Sequence, residues 1–138
     1  MKDTCCTGES EILIIACAGS ANVGQMTNQV AVELTQEGFG SLFCLAGIGA
    51  HLSGFVQSAK DADRMLVMDG CPIGCAGKIL AHAEIPLMNY FVITEMSMEK
   101  EHGGKLSRKE INRIKNAIKA AYRDGQSVKP KTILPTAV

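Results

Sequence analysis

Apolar residues along this chain come in short blocks separated by polar, glycine-rich turns, and the blocks alternate between two periods. EILIIACA, residues 11–18, is a near-continuous apolar run suited to a strand buried on both faces. In the following GSANVGQMTNQVAVELTQEG, residues Val23, Met26, Val30 and Leu34 recur at helical spacing, with Asn22 as the expected N-cap and Gly38 as the stop. SLFCLA, 41–46, reads as a second buried strand, and GIGAHLSGFVQSAKDA as a turn and a short helix. RMLVMD, 64–69, is a third strand. CPIGCAGKILAHAE is a turn and helix, with Cys71 at the N-cap and Pro72 at the first helical position. NYFVIT, 89–94, is a fourth strand and MSMEKEHGGK a loop. The clearest helix is 107–123, where Ser107 and Glu110 form a capping box and Ile111, Ile114, Ile118 and Tyr122 line one face.

Strand and helix alternating four times predict an α/β fold: a single-domain three-layer sandwich with a four-stranded parallel sheet, strand order 2-1-3-4, Rossmann/flavodoxin-like. The expected boundaries are a flexible tail at 1–10, the α/β domain at 11–125 and a C-terminal tail at 126–138. In such a sheet the carboxyl ends of all strands share one edge, where ligands of open α/β sheets bind.

Composition narrows the function. The 138 residues are 46% hydrophobic but only 4% aromatic, which points to one aliphatic core. Fourteen Lys plus Arg balance fourteen Asp plus Glu, so the basic excess of a nucleic-acid binder is missing. No run approaches the ~18 apolar residues of a membrane span. Ile14-Ile15-Ala16-Cys17 has the look of a lipoprotein cleavage box. However, the residues before it include Asp3, Glu9 and Glu11, and the apolar run is too short for a signal peptide. A cytoplasmic protein is expected, in which thiols stay reduced and cysteines bind metal or do chemistry.

Six cysteines then become the candidate chemistry. Cys17 ends strand one, Cys44 lies near the end of strand two, Cys71 follows strand three and Cys75 is one helical turn further. The 2-1-3-4 order brings these four to one edge. Tetrahedral Zn–S bonds of ~2.3 Å would separate the sulfurs by nearly 4 Å, within reach of neighbouring strands. A helix N-terminus favours thiolate, and Gly70 and Gly74 let the backbone approach. The residues alone leave four readings open: a four-thiolate metal site, a redox pair with Cys71 as nucleophile and Cys75 or Cys17 resolving it, an iron–sulfur cluster, or small buried side chains.

ACAGSANVGQ, CLAGI and DGCPIGCA resemble the DGC family of small proteins assigned to zinc binding and named for Asp-Gly-Cys. The likeness runs from the first strand to the third helix. It implies Zn2+ held by Cys17, Cys44, Cys71 and Cys75, and it brings no defined cellular role. A closed four-thiolate site has no open position, so the ion would be structural, regulatory or in transit rather than hydrolytic. Cys5 and Cys6 lie outside the matching stretch and are expected to be mobile thiols.

Other motifs fall short. Gly19 to Gly24 sits where a phosphate loop would, but Gln25-Met26 replaces the Lys-Ser/Thr pair, and no arginine precedes Arg64 to serve a phosphatase loop. Gly47-Ile48-Gly49 lacks the third glycine of a dinucleotide fingerprint, since Leu52 stands there. His51 could support the site or face solvent; His82 and His102 read as ordinary helix and loop residues. Asp69 either stabilises the turn or orients a ligand. The methionines read as core or loop residues, not a copper site. The basic face of the last helix (Arg108, Lys109, Arg113, Lys115, Lys119) reads as solvated, although it could touch an acidic protein partner, and the last helix or the tail could support a homodimer.

Overall fold

The computed structural model describes residues 11–123. The two tails, the Cys5–Cys6 pair and the Gly125 stop lie outside the described residues.

Ten elements follow in chain order: β1 (Ile12–Ala16), α1 (Asn22–Gln36), β2 (Ser41–Leu42), α2 (Leu45–Gly49), α3 (Ser53–Lys60), β3 (Arg64–Asp69), α4 (Cys75–His82), β4 (Tyr90–Val92), a 3₁₀ turn (Ile93–Met96) and α5 (Arg108–Arg123). The four strands form one all-parallel sheet in the expected order β2-β1-β3-β4. Ile14 pairs with both Leu42 and Leu66, and Met68 pairs with Phe91. Among the described residues no helix is long and apolar enough to cross a membrane.

Side-chain alternation explains why β1 and β3 lack any polar face. Ile12, Ile14 and Ala16, with Leu66 and Met68, pack against α1 and α5; Ile15, with Met65 and Val67, packs into the core that holds α4. Each strand therefore serves two cores, and only a continuously apolar sequence satisfies both.

Several boundaries differ from the sequence expectation. Ala21, not Asn22, caps α1, and Asn22 is the first helical residue. The second strand ends at Leu42 because Cys44 N-caps α2, so Leu45 and Ala46 are helical. The fourth strand ends at Val92, where the chain tightens into the 3₁₀ turn. Helix α4 starts at Cys75 with Gly74 as N-cap, leaving Cys71 and Pro72 in the preceding turn. The α1 end is as expected: Phe39 N–H bonds Leu34 O at 2.9 Å and Gly38 N–H bonds Thr35 O at 3.0 Å, a Schellman motif.

The basic face of α5 is not simply solvated. Lys115 is buried between α1 and α5, where Nζ donates to Glu33 Oε2 at 2.9 Å and to Glu37. Arg108 pairs with Glu33 at 2.6 Å, and Lys119 with Glu37. Half of the capping box forms, with Glu110 N–H donating to Ser107 Oγ at 3.2 Å.

A thiol cavity at the sheet edge

The turn after β3 is built around Asp69, the last strand residue. Its carboxylate is 1% exposed and accepts three hydrogen bonds: Ala76 N–H at 2.8 Å, Gly77 N–H at 2.9 Å and the Tyr90 hydroxyl at 2.7 Å. Two orphan donors of the first turn of α4 are thereby satisfied by a side chain seven and eight residues upstream. Burial, then the Asp69 carboxylate beside it, pushes the Tyr90 phenol far above its ordinary range. Gly74 sits at φ 68, the left-handed conformation that returns the chain into α4. The structural role for Asp69 thus holds. The Ala76 and Gly77 N–H groups are therefore taken by this carboxylate, and the backbone bonds that favour a thiolate at Cys17 come from Gly19 and Gly70.

The strand β1 side is fixed by backbone contact. A Cβ on Gly24 would lie 2.7 Å from Gly19 N and O, and one on Gly70 would lie 2.7 Å from Gly24 N. The β1–α1 loop, the start of α1 and the β3–α4 turn therefore touch main chain to main chain. Thr27 adds hydrogen bonds from Oγ1 to Cys17 O and to Gly24 O, the latter 2.7 Å.

A strap covers the start of α1. Asn22 Oδ1 accepts from Glu101 N at 2.7 Å, Asn22 Nδ2 donates to Glu99 O at 2.9 Å, and Asn22 N–H donates to Glu101 O at 2.9 Å. Ala21 bridges to His102 across the same junction. The strap brings Lys100 Nζ to 3.5 Å from Cys71 Sγ.

These pieces enclose a cavity of about 170 Å³ lined by Cys17, Cys71 and Cys75, with Asp69, Lys100 and His102. Cys17 and Cys71 are half-buried and Cys75 is exposed. Burial raises the Cys17 thiol above its ordinary pKa; the Gly19 backbone works against this, while the Asp69 and Cys75 charges add to it. A Cβ on Gly19 would come within 3.3 Å of Cys17 Sγ, so the loop leaves that sulfur clear only because position 19 carries no side chain.

Three of the four expected cysteines are thus brought to one cavity. Cys44 is not among its lining residues: its exposed Sγ accepts from Gly47 N–H at 3.4 Å as the cap of α2. Among the described residues no group of three or more His, Cys, Asp or Glu side chains is drawn together as metal ligands. Nor is the phosphate-loop position a ready anion cradle, because Asn22 N–H goes to Glu101 O and Val23 N–H to Asn22 Oδ1. Three thiols line the cavity together with Asp69, Lys100 and His102, and thiolate is a donor of the kind soft or borderline metal ions take. His51 lies outside it and pairs with His82, while His102, read from sequence as an ordinary loop residue, lies within it.

Residues 13–118 match the DGC domain family, more than half of the chain. The chain belongs to that family. It is also 28% identical over 102 residues to the anaerobic and virulence modulator AnvM of Pseudomonas aeruginosa, covering 74% of this chain and 78% of that protein. No solved structure matches the chain.

Sequence reasoning missed Lys100, Tyr90 and the Asn22 strap. Their partners lie 21 to 79 residues away, and no local pattern marks them. The one available signal was Asn22 itself, a side chain with both donor and acceptor at the mouth of the first strand–helix turn.

Proposed function

We propose that this DGC-family chain is a thiolate metal-binding protein with a regulatory or metal-handling role, taking zinc through Cys17, Cys71 and Cys75 with Cys44 as the fourth ligand. The observation that carries this is the convergence of three sulfurs, from two separate strand ends and a helix start, on one cavity. Bound there, the ion would supply a cross-link between the β1 and β3 edges rather than an open catalytic position. Cys44 supports the set by position, since it follows β2, the neighbour of β1, by two residues. The name of AnvM, an anaerobic and virulence modulator, supports a regulatory rather than a purely structural role.

Elemental analysis of untagged protein purified without chelators, with thiols titrated before and after denaturation, tests the reading. It expects about one zinc per chain and four thiols protected until unfolding. Metal-free protein with freely reacting thiols would refute it. Cys75→Ser should lower zinc content and stability together, and Cys44→Ser measures whether the fourth ligand is real.

One contact favours a second reading, thiol-disulfide exchange at Cys71. Lys100 places an ammonium 3.5 Å from Cys71 Sγ. In that reaction the Cys71 thiolate attacks a disulfide substrate and one sulfur leaves as thiolate. Cys75 or Cys17 then attacks the mixed disulfide, so the substrate is reduced by two electrons and the protein's pair is oxidised. A Cys71–Cys75 or Cys71–Cys17 disulfide, formed on adding an oxidised dithiol to metal-free protein and abolished in Cys71→Ser, would support it.

A further inference from the structure

A pair of histidines, side chains of a type that ligates metal, lies outside the thiol cavity. Helices α2 and α4 pack against each other, with Gly49 close enough that a Cβ there would meet Ile79 at 3.6 Å. At their C-terminal ends His51 Nε2 stands 3.1 Å from His82 Nδ1, the ring centroids 4.9 Å apart at 67°. Both side chains are exposed, and neither lines the thiol cavity.

Three features make this more than a chance approach of two rings. The first is distance. Two imidazole nitrogens bound at about 2.0–2.1 Å to one ion, subtending an angle between octahedral and tetrahedral, are separated by about 2.8–3.4 Å. The 3.1 Å between these nitrogens falls inside that range. The second is backbone placement. His51 holds the left-handed position after α2, at φ 55, with His51 N–H bonded to Ile48 O at 2.9 Å and Leu52 N–H to Gly47 O at 3.1 Å. Histidine is among the residues that tolerate this conformation, and the two cap bonds hold the His51 backbone at the end of α2, which packs on α4. The third is charge. His82 ends α4, whose last carbonyls favour a cation.

We propose that His51, through Nε2, and His82, through Nδ1, form an exposed site for a first-row divalent transition-metal ion, with water completing its coordination. Imidazole pairs suit zinc, nickel and copper over the hard cations. A two-ligand site exchanges its ion readily, so this site is an acquisition point and not a store. It does not depend on the thiol reading.

Nickel chloride titrated into the reduced, untagged full chain as purified is the probe. Calorimetry reads affinity, histidine ring proton signals locate the ion, and near-ultraviolet absorption reports any thiolate–nickel bond. The expected result is nickel binding that perturbs the His51 and His82 ring signals, counted separately from any thiolate–nickel absorption, which reports the cysteines. Losing one of two chelating ligands should weaken binding on the order of a hundredfold in both His51→Gly and His82→Asn. His51→Gly relieves the positive φ, so its loss of binding cannot be assigned to misfolding. His102→Ala should bind nickel at the His51–His82 pair as the parent does. Unchanged affinity in His51→Gly and His82→Asn, or nickel uptake that leaves the His51 and His82 ring signals unmoved, would each overturn the proposal and leave the pair a simple hydrogen bond between rings.

Discussion

Replacing Asp69 tests how the site is built. The side chain is 1% exposed and accepts from Ala76 N–H, Gly77 N–H and Tyr90 OH. Asp69→Ala leaves three donors without their acceptor, each costing about 1–3 kcal/mol when buried. Water reaching the first turn of α4, where Cys75 is exposed, lowers the sum, and we expect about 4 kcal/mol. That is a large share of the roughly 5–15 kcal/mol available to a domain. Asp69→Asn keeps the shape but turns one acceptor into a donor facing a donor, for a loss of about 2 kcal/mol. Tyr90→Phe removes a single bond to a charged acceptor, about 1.5 kcal/mol. Urea titrations followed by circular dichroism give each value from the midpoint at constant slope. The double variant carries the sharpest test: once Asp69 is alanine, Tyr90→Phe should cost almost nothing, because the two share one interaction. If Asp69→Ala lies within 1 kcal/mol of the parent, or the two losses simply add, the turn is not organised by this carboxylate.

Other substitutions probe separate elements. Gly24→Ala puts a methyl 2.7 Å from Gly19 backbone and should cost at least about 2 kcal/mol in a denaturant titration, because rigid main chain must move. Glu84, which ends α4 at φ 57 with Ile85 N–H bonded to Leu80 O at 2.9 Å, should be improved by Glu84→Gly. Relief of left-handed strain against the added chain entropy nets about 0.5–1 kcal/mol, read as a raised midpoint. Hydrogen bonds from Gln29, Lys115 and Arg108 hold the Glu33 carboxyl down at about 2. The folded value lies below the unfolded one, so this stability is full above pH ~4.5 and is lost as pH falls towards 2. Glu33→Gln should flatten that part of the acid-unfolding profile. In metal-free, reduced protein, Cys17 should alkylate more slowly than Cys44 and Cys75 at neutral pH, since it is half-buried with a raised pKa. Mass spectrometry of partially labelled protein gives the order.

What the sequence made legible was whatever rests on periodicity within one element. The apolar blocks at 12–16 and 64–69 are strands because they face two cores, and the Ile111, Ile114, Ile118 stripe is a helix face because it faces one. The parallel sheet follows from alternation; the order β2-β1-β3-β4, which alternation alone does not set, puts Cys17 beside the strand that leads to Cys71 and Cys75. The second strand misled because FCLA is apolar in either conformation; only the Cys44 cap shows that it turns helical. The start of α4 misled for a related reason. Asp69, six residues before Cys75, satisfies the helix donors, so no side chain at the cap position is needed. Lys115 read as one charge on a solvated face, but its partners, Glu33 on α1 and Glu37 at its C-cap, are about 80 residues earlier in sequence and therefore outside any local pattern.

The two cores also explain why the thiols occupy this edge. Cys17 packs with the cluster of Ile15, Val67 and Leu80, on the α4 side of the sheet, while Cys71 packs with the cluster of Ile14, Met26 and Ile114, on the α1 and α5 side. The cavity therefore lies where the two layers meet beyond the strand ends. Anything held by Cys17 and Cys71 together ties one helical layer to the other through a contact that neither core supplies. Under the proposed zinc reading, metal removal should loosen the layers relative to each other while leaving each core packed. Amide exchange should then quicken first at the 19–24 and 70–77 turns and the 99–104 strap, and not in β1 or β3. Uniform acceleration across the sheet would mean that the thiols hold up the whole fold, and exchange unchanged on metal removal would mean that they tie nothing together.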